Sequence, residues 1–212
     1  MSSDDAALDA LAVLGDPVRR SLYRHVAAAP GDVTRDAAAD AVGVTRAVAA
    51  FHLDKLVDAG LLETTFRRLS GRTGPGAGRP SKLYRRAEGE HAVSVPPRAY
   101  DTVSQLLAEV VERAGLDTEL QAAARAAGKA AGAADPVEAL RGRGYEPYWD
   151  CGKLRLHNCP FHALAEQFPA LVCGMNLAGI EGLLGEGWSA AMDPLPEGCC
   201  VAIEGPEGVG EV

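Results

Sequence analysis

Residues 34–60 read TRDAAADAVGVTRAVAAFHLDKLVDAG, and this stretch decides the fold. Thr34 can cap a helix over Arg35–Ala41, and Gly43 breaks it. Thr45 then caps a longer helix over Arg46–Ala59, which Gly60 terminates. Two short helices joined by the tight Val42-Gly43-Val44 turn are a helix-turn-helix signature. Helical spacing buries Ala49, His52 or Leu53, Leu56 and Val57 on the second helix. It leaves Arg46, Ala47, Ala50, Phe51 and Asp54 on the outer face. Small side chains there let a helix approach the floor of a groove. Arg46, in the first turn, can reach a base edge or a phosphate.

The flanks extend this reading. Upstream, Leu8, Leu11 and Leu14 recur at helical spacing over Ala6–Leu14. Asp16 and Pro17 then open a helix to about Ala28, with a turn over Pro30-Gly31-Asp32. Downstream, Leu61–Leu69 is strand-like, residues 70–81 form a Gly- and Pro-rich loop, and Leu83–Arg86 returns as a second strand. A helix-turn-helix followed by such a hairpin is a winged helix. The hairpin is basic: Arg67, Arg68, Arg72, Arg79, Lys82, Arg85 and Arg86 face no acidic residue between positions 67 and 86. Its glycines lack the Walker spacing of a nucleotide phosphate loop. The expected partner is double-stranded DNA, met by Thr34, Thr45, Arg46, Ala47, Ala50, Phe51, Arg67, Arg68, Arg72, Arg79 and Lys82.

Composition agrees. The chain of 212 residues is 47% hydrophobic and 24% charged, which excludes a mainly disordered polypeptide. No apolar run is long enough to span a membrane, and the acidic MSSDDAALDA start is wrong for a secretory signal, so a cytoplasmic protein is expected. The net charge of −8 is unevenly placed: residues 1–90 hold 13 Lys and Arg against 12 Asp and Glu, and residues 91–212 hold 8 against 17. A basic cluster on an otherwise acidic protein is the asymmetry of a nucleic-acid binder.

Pro96-Pro97 marks a boundary. Arg98–Ala114 and Asp117–Ala131 read as helices. The second is Ala-rich and suited to close packing, either against a second copy in a two-fold dimer or within the chain. Beyond Asp135 a short helix to Leu140, strands at Tyr145–Trp149 and Leu154–Leu156, helices at Pro160–Phe168 and Leu171–Leu184, and a closing strand at Cys199–Ile203 make a small α+β domain. All five cysteines lie here: Cys151, Cys159, Cys173, Cys199 and Cys200. They show no C-x₂-C spacing, so any shared site is assembled by folding. Cys159, Cys173 and one of the vicinal pair sit on three separate elements that can converge on one group. Strand alternation admits Cys199 or Cys200 but not both. Cys151, His157 and His162 are the candidate fourth ligands. The alternative is a set of buried cysteines serving as small hydrophobes. No Ser-His-Asp or paired-carboxylate arrangement stands out, and no base is oriented toward a thiol, so an enzyme is not expected.

Four stretches carry a family resemblance: LGDPVRRSLYRHV, GVTRAVAAFHLDKLVDAGLLE, RRLSGRTGPGAGRPSKLYRR and LRLHNCPFHALAEQFPALVCGMNLAGIEGLL. Together they resemble the SufR-type transcription regulators, winged-helix proteins related to the ArsR group. The resemblance implies a dimeric repressor that binds a [4Fe-4S] cluster through C-terminal cysteines. It assigns Cys159 and Cys173 as ligands, with Cys200 preferred over Cys199 as the third. The whole chain then reads as α+β: a winged helix-turn-helix over residues 1–95, a helical linker and dimerisation region over 96–134, and a sensor domain over 135–212. Zinc, redox state or a small organic ligand are the alternative signals.

Overall fold

Capping chemistry sets the helices of the N-terminal unit. The computed structural model describes residues 3–29, 31–68, 80–195 and 198–206. The chain divides into two units, Met1–Arg98 and Ala99–Val212. In the first, α1 (Ser3–Val13) is followed by α2 (Pro17–Ala27), whose cap Asp16 accepts the Arg19 amide at 2.9 Å. Thr34 accepts the Ala37 amide at the start of α3 (Arg35–Val42), and Thr45 accepts the Val48 amide at the start of α4 (Arg46–Asp58). Gly43 ends α3 in the left-handed region (φ 72°), where a side chain is disfavoured. The helix-turn-helix therefore forms as expected.

A two-residue strand, β1 (Val33–Thr34), was not legible in the sequence. It pairs with β3 (Ser81–Arg86), which also pairs with β2 (Leu62–Arg67), giving the antiparallel order β1-β3-β2. The core joins Leu22 and Val26 of α2, Ala38 and Ala39 of α3, Ala49, Leu53 and Leu56 of α4, and Leu62 and Tyr84 of the sheet. Leu53, not His52, takes the buried position. Val57 is half-buried. Each fully buried leucine contributes about 1.5–3 kcal/mol, so this core is what holds the outer face of α4 in place. Arg72 and Arg79 lie outside the described residues.

The second unit contains α5 (Tyr100–Ala114), α6 (Asp117–Ala131), α7 (Pro136–Arg141), β4 (Pro147–Asp150), β5 (Lys153–Leu156), α8 (His162–Gln167), α9 (Pro169–Leu183), β6 (Ser189–Met192) and β7 (Val201–Glu204). Its strands form an antiparallel sheet of order β4-β5-β7-β6. Strand β6, short and mostly exposed, was also not anticipated. The core gathers Leu140, Tyr145, Leu154, Leu156, Ile180, Leu183, Val201 and Ile203. The segment expected to be a separate linker belongs to this unit, and α6 packs along α9. The approach is close enough that a Cβ on Gly182 would collide with the Arg125 carbonyl, and one on Gly128 with that of Gly179. On α5, by contrast, Tyr100, Val103, Leu106, Leu107 and Val110 are all exposed.

Candidate nucleic-acid interface and cysteine site

The outer face of α4 carries Arg46, Ala47 and Phe51 in the open, with Ala50 and Asp54 half-buried beside them. Phe51 is 57% exposed and stands beside the exposed Val48. Arg46 places its Nε 2.8 Å from Asp36 of α3. Both groups are well exposed, so the pair is weak and the guanidinium is free to exchange partners. Thr34 and Thr45 spend their hydroxyls on the helix caps. Arg67 lies 3.9 Å from Asp32 and stays largely exposed, as does Arg68.

Lys82 is engaged differently from the other basic residues. Its Nζ lies 2.7 Å from Asp54, whose carboxylate also accepts the Tyr84 hydroxyl at 2.8 Å. Arg35 in turn donates to that hydroxyl at 2.8 Å and lies 3.8 Å from Asp54. Burial alone would raise the Asp54 carboxyl, but hydrogen bonds from Lys82 and Tyr84 outweigh it and hold the group below its ordinary value. Burial raises the Tyr84 phenol. Helical spacing puts Asp54 on the outer face and gives no sign of this four-residue bridge. The signal was there in part: Lys82 and Tyr84 are two apart on one strand and share a face.

In the second unit, Cys159, Cys173, Cys199 and Cys200 line one cavity of about 40 Å³, with His162, Asn176 and Gly198 beside them. Cys159 lies in the segment between β5 and α8, and Cys173 lies on α9. Cys199 and Cys200 precede β7, which begins only at Val201. The alternation argument therefore does not govern the vicinal pair, and both residues reach the cavity. Cys173 Sγ donates to Cys200 Sγ at 3.8 Å. Cys159 donates to Cys199, which also accepts Asn176 Nδ2 at 3.3 Å. Behind Asn176, the Tyr145 hydroxyl donates to its Oδ1 at 2.5 Å. Asn176 and Cys199 are both buried.

These contacts separate the thiols electrostatically. The hydrogen bond from Cys159, joined by the backbone amides of Val201 and Cys200 and by Asn176, lowers Cys199 to about 7 despite its burial. The same Cys159–Cys199 bond, reinforced by burial, pushes Cys159 well up. Burial and the bond to Cys200 push Cys173 up to about 11. The thiol of Cys199 is thus shifted in the opposite direction from those of Cys159 and Cys173.

Three predicted fourth ligands fall elsewhere or only at the edge. Cys151 is exposed on the β4–β5 turn, with φ 49°, and does not line the cavity. His157 stacks on Tyr148 at 3.8 Å and does not line it either. His162 does line it, but its Nε2 lies 3.5 Å from Glu166 and its side chain is largely exposed. Among the described residues, no group of three or more His, Cys, Asp or Glu converges tightly enough to hold a single metal ion. The donor set still suits an iron–sulfur group: soft thiol donors from three chain segments border a shared space, and buried N–H donors point at one sulfur.

Residues 14–65 match the family model of a helix-turn-helix domain. No curated protein matches the chain, and no solved structure does. The match supports a winged-helix transcription regulator that binds double-stranded DNA. Among the described residues no helix is long and apolar enough to cross a membrane.

Proposed function

We propose that the chain is a cytoplasmic, homodimeric transcription repressor of the SufR type. In this reading the second unit senses an iron–sulfur cluster through Cys159, Cys173, Cys199 and Cys200. The observation that carries it is the convergence of these four cysteines, from three segments of the fold, on one cavity. Cys199 joins Cys200 in this set and takes the fourth place for which Cys151, His157 and His162 are the sequence candidates. When bound, a cluster supplies an iron- and redox-dependent cross-link among those segments. The chain's own contribution is to present the thiols, to hold Cys199 through Asn176 and Tyr145, and to cover the site with α8 and α9. Zinc is the alternative occupant: thiolates held about 2.3 Å from one ion stand close together, as Cys173 and Cys200 do at 3.8 Å, but among the described residues no group of three or more donors is placed to hold a metal ion.

On the DNA side, Arg46, Ala47, Ala50 and Phe51 enter the major groove, with Thr34 and Thr45 fixing the helix N-termini. Arg67, Arg68, Arg72, Arg79 and Lys82 meet the backbone. A palindromic operator requires two copies, and the exposed apolar row of α5, with Tyr100, Val103, Leu107 and Val110 at alternating spacings of three and four, is the seam offered for pairing.

The test is anaerobic purification with iron, sulfide and zinc analysis, followed by DNA binding before and after removal of the metal. The reading expects iron and sulfide in equal amounts, and a change in operator affinity of about 5–150-fold, the usual size of an allosteric coupling. Zinc without sulfide, or a chain free of metal, would overturn it.

A further inference from the structure

Of the four thiols of the cavity, Cys173 and Cys200 stand with their sulfurs in contact. The four differ in access. Cys199 is 5% exposed and its sulfur already accepts from Asn176. Cys173 and Cys200 are half-buried and border the cavity, and their sulfurs are 3.8 Å apart, so no atom fits between them. Closing that gap to the bonding distance of about 2.05 Å needs a movement of under about 2 Å, within reach of small side-chain rotations.

We propose that Cys173 and Cys200 form an oxidative modification site, closed by hydroperoxides to a reversible disulfide when the cavity holds no metal. This deepens the sensor reading, since it uses the same cavity, but the bond itself forms without any cluster. One thiol of the pair gives up its proton as its sulfur attacks a peroxide oxygen, the O–O bond breaks, and a sulfenic acid and, from hydrogen peroxide, one water result. The other sulfur attacks the sulfenic sulfur, the S–S bond forms, and the second water leaves. The two thiols lose two electrons and two protons, and the peroxide takes up both. The product ties α9 to the segment entering β7. It also removes both sulfurs as ligands, so peroxide and iron supply compete for the same two atoms.

The test uses the full chain carrying Cys151→Ser, which removes the exposed thiol on the β4–β5 turn. The protein is reduced, stripped of metal with a chelator, checked for retained circular dichroism, and treated with hydrogen peroxide. Peptide mapping should find one cross-link, between Cys173 and Cys200, with the loss of two hydrogens and full reversal by dithiothreitol. Cys173→Ser and Cys200→Ser should each abolish it, and Cys159→Ser should leave it. Recovery of Cys173 and Cys200 as free thiols, or as sulfinic and sulfonic acids, would overturn the proposal, as would a cross-link between Cys159 and Cys199 in its place. Iron measured in the same preparation before stripping separates the two readings. A cross-link in a chain that carried no iron removes the cluster and keeps the switch, and iron without a cross-link does the reverse.

Discussion

The hydroxyl of Tyr84, on strand β3, donates to the carboxylate of Asp54, on α4, across 2.8 Å. With Lys82 and Arg35 on the same two groups, this bond fixes the reading helix against the strand that leads out of the wing. Tyr84→Phe keeps the buried ring and removes only the hydroxyl. It should lower the unfolding free energy by about 0.5–1.5 kcal/mol for each hydrogen bond lost, measured by urea denaturation. Asp54→Asn adds a pH signature. The Asp54 carboxyl titrates below its ordinary 3.8 in the folded chain. Its stabilisation is therefore complete above that value and drains as pH falls through the lower folded one. The variant should be less stable at neutral pH and show a flatter acid limb. An acid limb equal to the parent's would mean that Asp54 gains nothing from its partners.

Arg46 and Asp36 make an exposed pair that DNA can break. Asp36→Ala should change stability by no more than about 0.5 kcal/mol. It should also tighten DNA binding, because a carboxylate that competes with phosphate is gone. Arg46→Ala should relax sequence preference at one position by about 1–3 kcal/mol. The double variant Arg67→Ala, Arg68→Ala should instead weaken binding to every sequence and reduce the salt slope by about two. Titration against operator and random duplexes at several salt concentrations distinguishes these outcomes.

The N-terminal unit was legible because its signals are local. Thr34, Gly43, Thr45 and Gly60 mark helix ends by their own chemistry, and the apolar spacing of α4 selects its buried face. Strand β1 was not legible, since two residues carry no period and Val33 gains its pairing from Tyr84, far along the chain. The partner of α6 is not legible for the same reason: its alanines fit any close neighbour, and only the fold supplies Gly128 opposite Gly179 and Gly182 opposite Arg125. The cysteine site was half legible. Cys159 and Cys173 are legible as ligand candidates, but the sequence pattern puts the vicinal pair on a strand that begins only at Val201. Asn176 and Tyr145, which buttress Cys199, have no sequence signal apart from the structure.

The α6–α9 contact depends on glycine at its closest points. Gly182→Ala would set a methyl group against the Arg125 backbone, 2.9 Å from its carbonyl carbon and nearer still to the oxygen. Neither helix backbone can yield there without moving the other. The cost should be about 1–3 kcal/mol, as for other overpacked sites, seen as a lower thermal midpoint. Gly185→Ala, with open space around its Cβ position, is the matched control and should be near neutral. Equal midpoints for the two variants would show that the helices separate freely.

The ligand set gives the sharpest test of the sensor reading. Cys159→Ser, Cys173→Ser, Cys199→Ser and Cys200→Ser should each strip most of the iron and sulfide from anaerobically purified protein, because all four thiols border the cavity. Cys151→Ser should retain both, since that residue sits on an exposed turn away from it. Strand alternation would instead have made one of Cys199 and Cys200 a bystander, so loss at both positions is the result that separates the two arrangements. Asn176→Leu is the graded case. It removes the N–H donor to Cys199 and leaves the Tyr145 hydroxyl without its acceptor. Outer partners of this kind usually contribute about 10–100-fold in metal affinity, so the variant should load iron but surrender it faster to a chelator. The thermal midpoint of the metal-free chains must be followed alongside. A serine variant that keeps its midpoint and also its iron removes that cysteine from the set. Retention of iron by the combined Cys159, Cys173, Cys199 and Cys200 serine variant would remove the cavity from the sensing role altogether.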